Sequence, residues 1–551
     1  MRRREAGPYE REAITPYFDE SFYTAAYPHA HDSTMRPIDH FLLEGWRAGL
    51  NPSRSFDVAF YLHRHGDVAA AGMNPLVHYA LQGVCEGRPT RRPLDAERQD
   101  LCAASAPSAQ LANWVSGADR SEPIGPQAFA SALAETHHAA GLVVSVSHDD
   151  YAVCFGGVQN LVGDEQRAFQ SAGWAYLHLS PAAPLPVLAC AGDPGSFRFR
   201  ARLNGSALGV TLTDDLVTTI GAWRGRGLPV RLVIHHIMGH SLEALVTLAE
   251  AAGGQPVVWT HDFFTLCPSY ALMRNGVRFC GGPPPSSAAC QICNYGEDRD
   301  AHLPRVRAFF EATAPVVIAP SASALHRWQS MNSLHTSAAV AMPLATLAFA
   351  PVEPGTPQPA IADARPIRVA HLGARVGHKG WIAFEELAIA LSADPRYAFF
   401  HLGQAGAGAA EGGIRHVPVQ VTAENREAMI DAIAEHRIDV VMCWSMWPET
   451  FCFTVHEALA GGAFVVAREA AGNVGPAIKA HAPRQGCVVG DEQALRALFE
   501  TGEILQRLGG AERRYGALRL GRGTADWLLQ AGELDRSVTT PANYGEGAAG
   551  V

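Results

Sequence analysis

Short apolar runs alternate with amphipathic stretches along the chain from about residue 140 onward. Such runs stand at Leu142–Ser147, Val230–Ile234, Pro256–Thr260 and Pro315–Ala319. Between the first two runs, one face of a predicted helix carries Val158, Leu161, Val162 and Phe169. Apolar runs are typical of strands buried on both faces, and their alternation with helices predicts a parallel, doubly wound sheet.

A second unit of the same kind follows a proline-rich stretch at residues 350–366. Its strand runs stand at Ile367–Leu372, Tyr397–Leu402 and Ile438–Cys443. We therefore predict the α/β class with two Rossmann-like domains, at residues 139–348 and 367–535, joined by a linker at 349–366.

The N-terminal region contains an internal repeat with a period of 38 residues. The recurring positions pair Phe18 with Phe56, Asp19 with Asp57, Tyr23 with Tyr61, Pro37 with Pro75 and His40 with His78. One unit cannot bury its aromatic face alone, so two units are expected to pack together. We predict a small all-α module at residues 17–92, in which the repeated histidines serve packing or capping rather than metal binding.

The remaining segments lack a strong apolar pattern. We predict a disordered N-terminus at residues 1–16, a linker with some helix at 93–138 and a disordered Gly-, Ala- and Thr-rich tail at 536–551.

Composition narrows the class of protein. The 551 residues are 48% hydrophobic and 18% charged, and the net charge of −10 disfavours a nucleic-acid partner. No secretory signal and no apolar run of about 18 residues is seen. Eleven cysteines without a signal are typical of reduced thiols, so a cytoplasmic location is expected.

Two carboxylates, Glu449 and Glu457, stand seven residues apart after Pro448. The second lies in an apolar helical run that ends at Gly461-Gly462 before another strand pattern. The N-terminus of such a helix presents unpaired N–H groups to phosphate, and carboxylates accept hydrogen bonds from sugar hydroxyls. The alternative is a solvated acidic pair on a surface helix.

This segment resembles the Glu-x7-Glu motif of retaining nucleotide-sugar glycosyltransferases (glycosyltransferase group 1 family). They have the GT-B fold, in which two Rossmann-like domains face a cleft. The resemblance implies that Glu457 contacts the ribose and that Glu449, a catalytic residue, contacts the transferred sugar. It also implies that backbone N–H groups face sugar and phosphate at Phe451, Cys452, Phe453 and Thr454. Cys452 stands where the family commonly has glycine, which narrows the donor space.

Two glycine-containing loops extend the resemblance. Arg375 and Lys379, in the loop after the first strand of the second domain, correspond to the pair that neutralises the leaving diphosphate, although the usual Gly-Arg pair is broken by Ala374. Gly156 and Gly157 resemble the glycine-rich loop that faces the donor phosphates. The alternative is an ordinary strand-to-helix turn in each case.

Histidines follow two strand ends of the first domain. The family often carries a His-Asp pair where His261 and Asp262 stand, so the resemblance implies a catalytic role for His261 at the acceptor side. We expect His236 to be a satisfied structural histidine instead.

Four cysteines cluster in a loop-rich insertion predicted at residues 263–300. They are Cys267, Cys280, Cys290 and Cys293, and the last two form a Cys-x2-Cys pair. Four thiolates can close a tetrahedral structural zinc site, whereas unligated thiols remain the alternative.

Together these features predict a metal-independent, retaining hexosyltransferase-like enzyme that takes a nucleoside-diphosphate sugar and needs no catalytic cofactor. The repeats resemble those attached to bacterial surface-polysaccharide glycosyltransferases, which implies a glycan or lipid-linked acceptor and peripheral association with the inner face of the membrane. A nucleotide-sugar epimerase and a non-catalytic scaffold with a vestigial core are the alternatives.

Overall fold

A computed structural model gives the architecture. The residues that it describes are 7–27, 35–53, 55–88, 90, 117–134, 136, 138–154, 156–276, 278–351, 365–404, 413–422, 425–521 and 523–531. None of the helices in these segments is long and apolar enough to cross a membrane.

The chain divides into two compact units, the first of which, Met1–Gln99, is helical. Its helices are α1 (Pro8–Ile14), α2 (Glu20–Ala26), α3 (Pro37–His40), α4 (Val58–Arg64), α5 (Gly66–Ala70) and α6 (Pro75–His78). Both α3 and α6 continue into a wider turn, at Phe41–Gly45 and Tyr79–Gly83. Asp19 and Asp57 cap α2 and α4 in the same way, because each carboxylate accepts the N–H group three residues ahead.

The repeated histidines bond to the repeated tyrosines. Tyr23 Oη lies 2.8 Å from His40 Nδ1, and Tyr61 Oη lies 2.9 Å from His78 Nδ1. A Cβ at Gly45 would overlap the Tyr23 hydroxyl, which explains why glycine stands there. The prediction of a packing role for these histidines is confirmed.

Two flanking predictions are wrong. Pro8–Ile14 form a helix and Ile14 is fully buried, so the predicted disorder does not hold for residues 8–16. Residues 117–138 are not a free linker either, because helix α7 (Pro126–Ala134) buries Phe129 and Leu133 in the core of the first Rossmann-like domain. Residues 91–116 and the tail predicted at 536–551 lie outside the described residues.

The second unit, Asp100–Val551, contains both Rossmann-like domains. The first has an eight-stranded sheet in the order β10-β9-β6-β5-β1-β2-β3-β4, parallel except at the β2–β3 and β3–β4 pairs. The strands are β1 (Leu142–Val146), β2 (Ala175–Pro181), β3 (Arg198–Leu203), β4 (Ser206–Leu212), β5 (Val230–Ile234), β6 (Val257–Trp259), β9 (Val316–Ala319) and β10 (Ala338–Ala341). The helices are α8 (Gly157–Ser171), α9 (Thr213–Gly225), α10 (Leu242–Ala252), α11 (Ala288–Gln291), α12 (Gly296–Thr313) and α13 (Ala322–Ser330). A hairpin of β7 (Met273–Arg274) and β8 (Arg278–Phe279) lies in the cysteine-rich insertion.

The second Rossmann-like domain has a six-stranded parallel sheet in the order β14-β13-β12-β15-β16-β17. Its strands are β12 (Ile367–Leu372), β13 (Tyr397–Gly403), β14 (Arg415–Pro418), β15 (Val440–Cys443), β16 (Phe464–Arg468) and β17 (Gly486–Val489). Its helices are α14 (Trp381–Ala390), α15 (Ala428–Glu435), α16 (Phe453–Ala460), α17 (Val474–His481), α18 (Glu492–Glu500) and α19 (Glu503–Gly509). The predicted pair of Rossmann-like domains is therefore present.

The chain crosses between the two domains twice. Strand β11 (Ala345–Phe349) pairs antiparallel with β18 (Gly516–Leu520) beside the second sheet. The last helix, α20 (Thr524–Ala531), then packs on α8 of the first domain, where the Thr524 hydroxyl donates to the buried Glu165 carboxylate. The predicted boundaries are corrected accordingly, since residues 345–348 pair with the second domain and residues 524–531 pack on the first.

Candidate functional site

Each sheet of the second unit has a point at which its strand order reverses, and a crevice is expected at the carboxyl ends of the strands there. In the second domain β12 lies between β13 and β15, so the chain leaves the sheet in opposite directions at this point. In the first domain β1 lies between β2 and β5 with the same consequence. Open α/β sheets bind ligands at the carboxyl ends of such strands. The loops after β12, β15, β1 and β5 carry most of the residues singled out in the sequence.

An ion pair joins the loops after β12 and β15. Lys379 Nζ lies 2.7 Å from Glu449 Oε1, and the same oxygen accepts the Ser445 hydroxyl at 2.8 Å. Glu449 is only 3% exposed, whereas the Lys379 side chain keeps 42% of its surface exposed and lies 5.6 Å from the Trp447 ring centre. One carboxylate oxygen therefore anchors the lysine, and the lysine remains accessible to a second anion.

Glycines allow these loops to approach closely. Gly380 adopts a φ of +87°, and a Cβ there would overlap the carbonyl oxygen of Trp444. Gly472 adopts a φ of +67° and pairs with Glu449 in an isolated β-bridge, where a Cβ would overlap the Glu449 backbone. Glycine tolerates this left-handed conformation without strain, so both contacts fix the position of the ion pair.

Helix α16 begins directly after this loop and points its N-terminus at the crevice. Cys452 precedes the helix, and its thiol lies 3.0 Å from the Thr454 hydroxyl. The first-turn N–H groups of a helix have no partner within it, and they favour an anionic ligand. A Cβ at Gly157 would lie 3.5 Å from the Phe453 ring, so the glycine loop of the first domain touches the start of this helix.

Glu457 lies on α16 and is 6% exposed. Burial, together with the nearby Cys452 thiol, raises the pKa of Glu457 to about 8. A neutral carboxyl group can both donate and accept a hydrogen bond, which suits a pair of adjacent hydroxyls.

Histidines line the opposite side of the crevice. The rings of His261, Trp259 and His235 lie nearly parallel, with the His261 centre 4.9 Å from that of Trp259 and 5.6 Å from that of His235, and His261 Nε2 lies 3.3 Å from His235 Nδ1. Burial lowers the pKa of His261 well below its ordinary value, so its ring is neutral. His236 Nε2 lies 3.0 Å from Asp262 Oδ2 and forms a second polar pair at this edge.

Direct contacts join the two sides of the crevice. The Ser321 hydroxyl donates to the carbonyl oxygen of Thr450 at 2.7 Å, and the Thr450 hydroxyl donates to the carbonyl oxygen of His261. Tyr270 packs edge-on against His378 with ring centres 6.3 Å apart. These contacts bring His261 of the first domain next to the loop that carries Glu449 in the second domain.

Some predicted residues lie differently from their expected partners. The Arg375 guanidinium lies over the Trp381 ring, 5.5 Å from its centre. Sequence reasoning did not single out Ser445, Trp447 or Tyr270. Ser445 follows a strand end, a position that the carboxyl-end rule could have flagged, whereas nothing in the sequence shows that Tyr270 reaches the other domain.

The four cysteines of the insertion line one cavity. Cys267 and Cys290 are buried, Cys280 and Cys293 are half-buried, and all four are free thiols. As the side chains are oriented, no three His, Cys, Asp or Glu groups among the described residues form a set that could hold a metal ion.

The sequence matches no protein-family model and no curated protein significantly. Among solved structures, Anabaena HepE in complex with UDP is 15% identical and covers 71% of this chain and 99% of its own, with a TM-score of 0.39. The catalytic domain of starch synthase IV from Arabidopsis thaliana, bound to ADP and acarbose, is 12% identical and covers 72% of this chain and 98% of its own, with a TM-score of 0.39. S. aureus MnaA with UDP is 10% identical and covers 73% of this chain and 99% of its own, with a TM-score of 0.34.

Proposed function

We propose that this protein is a retaining, metal-independent glycosyltransferase of the GT-B type. It moves a sugar, a hexose in our proposal, from a nucleoside diphosphate to a glycan or lipid-linked acceptor. The observation that carries the proposal is the placement of Lys379, Glu449 and Glu457 around the N-terminus of one helix at the switch point of a Rossmann-like sheet.

The leaving diphosphate is the part of the donor that this site suits best. Lys379 supplies a cation that is already oriented by Glu449, and helix α16 supplies N–H groups and the positive end of its dipole. These groups can neutralise developing negative charge without a divalent ion. The proposal therefore gives the enzyme no catalytic cofactor.

The two carboxyl groups differ in what they can bind. Glu449 uses Oε1 for Lys379 and Ser445, so Oε2 remains to accept a hydroxyl of the transferred sugar. Glu457 is buried and neutral below about pH 8, and we assign it to the ribose hydroxyls. No side chain is assigned as a nucleophile; the leaving diphosphate assists departure on the same face of the sugar.

The acceptor enters beside the histidines in this proposal. His261 and the His236–Asp262 pair line the first domain's side of the crevice, where they can orient a hydroxyl group. His261 is neutral, so one ring nitrogen can accept a hydrogen bond.

The test is a transfer assay on the full chain with UDP-, GDP- and ADP-sugars in excess EDTA. We expect one donor to be consumed, with the anomeric configuration of the sugar kept in the product, as read by NMR. Inversion, or restoration of lost activity by Mg²⁺, would contradict the proposal. Release of an epimerised donor without any acceptor would instead establish the epimerase alternative.

The repeat module extends the proposal to the cellular role. We propose that it docks the enzyme to a lipid-linked glycan or to a membrane-bound partner at the inner face of the membrane, during synthesis of a bacterial surface polysaccharide. Deletion of residues 1–95 should leave donor affinity unchanged and abolish transfer to the natural acceptor. Loss of donor affinity through unfolding of the second unit would show that the repeats are structural.

A further inference from the structure

The cysteine-rich insertion brings four sulfur atoms to one cavity although it contains little regular structure. Its strands β7 and β8 have two residues each, and α11 has four. Its residues Leu266, Leu272 and Met273 are anchored in the domain core, and a cross-link or a bound ion would rigidify the loops that extend from it. The four thiols around the cavity are the groups able to provide it.

Donors already point at three of the sulfur atoms. The backbone N–H of Ser269 is directed at the Cys267 sulfur, and that of Gly282 is directed at the Cys280 sulfur. Arg299 Nη1 lies 2.9 Å from Cys290 Sγ. Burial raises the pKa of Cys267 and of Cys280 in the metal-free protein, and donors of this kind oppose that rise because they stabilise a thiolate more than a thiol.

Arg299 is a buried cation that lacks a carboxylate. It is 5% exposed, and its other bonds go to the carbonyl oxygens of Leu266 and Pro283 at 3.0 and 2.6 Å. Among the described residues no carboxylate lies within ion-pair distance of it. A buried charge is costly without a counter-ion, and a zinc ion with four thiolates carries net negative charge.

We propose that Cys267, Cys280, Cys290 and Cys293 bind one zinc ion as thiolates, and that this ion holds Tyr270 at the crevice. Binding replaces the four thiol protons, which pass to solvent. The four sulfur atoms do not form a metal-binding set as oriented, so the proposal requires their side chains to rotate toward one another when the ion binds. All four positions are then filled by protein, so the ion is structural.

The link to the crevice comes from Tyr270, three residues after Cys267. Its ring lies edge-on to His378 and to Trp447, 6.3 and 6.5 Å away. Trp447 in turn lies beside Lys379. The ion would thus fix the position of an aromatic side chain next to the diphosphate site, and this second part rests on the proposed function.

The first test is elemental analysis of the full chain purified without chelator from zinc-supplemented cells. We expect about one zinc per chain, and after exchange with Co²⁺ the charge-transfer absorption of a tetrahedral thiolate site. Both should be lost in Cys290→Ser and Cys293→Ser and kept in Cys190→Ser, a matched control at an exposed cysteine outside the cluster.

Contrary outcomes can be read on the unaltered protein, so variants that fail to fold do not weaken the test. Zinc far below one per chain together with no cobalt–thiolate absorption would overturn the proposal. Stoichiometric iron, or disulfides among the four cysteines found by alkylation and mass mapping, would also overturn it.

The variant Tyr270→Ala tests zinc binding and the positioning of Tyr270 separately. It should keep its zinc and lose at least about tenfold in kcat/KM, whereas zinc without any effect of Tyr270→Ala would remove the positioning role. If the protein transfers no sugar at all but holds the zinc, the proposed function fails and the metal site stands.

Discussion

At the edge of the first sheet buried histidines bond to one another and to a carboxylate, whereas at the edge of the second sheet a buried carboxylate holds an accessible lysine. His235 joins His261 at 3.3 Å and the buried Glu165 at 3.2 Å. Across the crevice, Glu449 uses one of its two oxygens for Lys379 and Ser445, and burial keeps the Glu457 carboxyl group neutral.

This difference supports the placement of the donor in our proposal. The Glu457 carboxyl group and the second Glu449 oxygen find their partners on the donor, and the accessible lysine finds its second anion there. The first sheet keeps unpaired buried polar atoms as well, at His148 Nδ1, Asp149 Oδ1 and Trp259 Nε1. We therefore propose that the second domain binds the donor and that the histidines orient the acceptor.

The largest effect on nucleotide affinity is expected for Lys379→Ala. Loss of a charge-assisted contact to phosphate costs about 1.5–3 kcal/mol, so the Kd for the nucleoside diphosphate should rise about 10- to 100-fold. Lys479→Ala is the matched control, because Lys379 and Lys479 are the chain's only lysines and Lys479 is exposed on α17. Calorimetry that finds unchanged affinity in a folded Lys379→Ala protein would remove Lys379 from the site.

Glu449→Gln should separate turnover from nucleotide binding. The amide keeps the shape of the side chain but loses the negative charge that holds Lys379 and faces the sugar. We expect kcat to fall about 100-fold, while affinity for the free diphosphate is retained. Equal behaviour of Glu449→Gln and Glu457→Gln toward free diphosphates would show that the assigned roles are wrong.

Glu457→Gln should weaken nucleotide binding and stabilise the ligand-free fold at neutral pH. The carboxyl pKa is about 8 in the folded protein and near 4.5 in the unfolded chain, so the folded state holds its proton more tightly. The free energy of unfolding therefore falls as pH rises from about 4.5 to about 8, by at most about 1.4 kcal/mol per pH unit. Glutamine removes this dependence.

The measurement is the melting temperature at several pH values. The gain of Glu457→Gln over the unaltered protein should grow between pH 5 and pH 8, whereas Glu435→Gln, at an exposed helix position, should show no such trend. A constant difference across this range would mean that Glu457 is ionised in the folded protein.

The smallest effect is expected on the first sheet. His261→Ala should lower transfer about tenfold and leave nucleotide affinity unchanged, because in our proposal the ring orients the acceptor and does not contact the nucleotide. His335→Ala, at an exposed position, is the control. If His261→Ala weakens nucleotide binding as much as Lys379→Ala does, the proposal that only the second sheet binds the donor is wrong.

Much of the fold was predictable because buried strands are visible in the sequence as short apolar runs. The runs at Val230–Ile234 and Ile367–Leu372 coincide with β5 and β12, since a strand covered by helices on both faces is predominantly apolar. Strands β3 and β18 were missed. The antiparallel β3 alternates buried and half-buried residues, and β18 is only half-buried, so neither has a continuous apolar run.

The sequence by itself determined the two α/β domains, the 38-residue repeat and the spacing of Glu449 from Glu457. These features depend on local periodicity or on residue identity, and both can be recognised in the sequence without knowledge of the fold. Only the tertiary structure decided that Lys379 pairs with Glu449, that Arg375 lies over Trp381 and that Tyr270 reaches the second domain. Each of these contacts joins residues from separate loops or elements, and strand order and domain packing, rather than sequence distance, set which side chains meet.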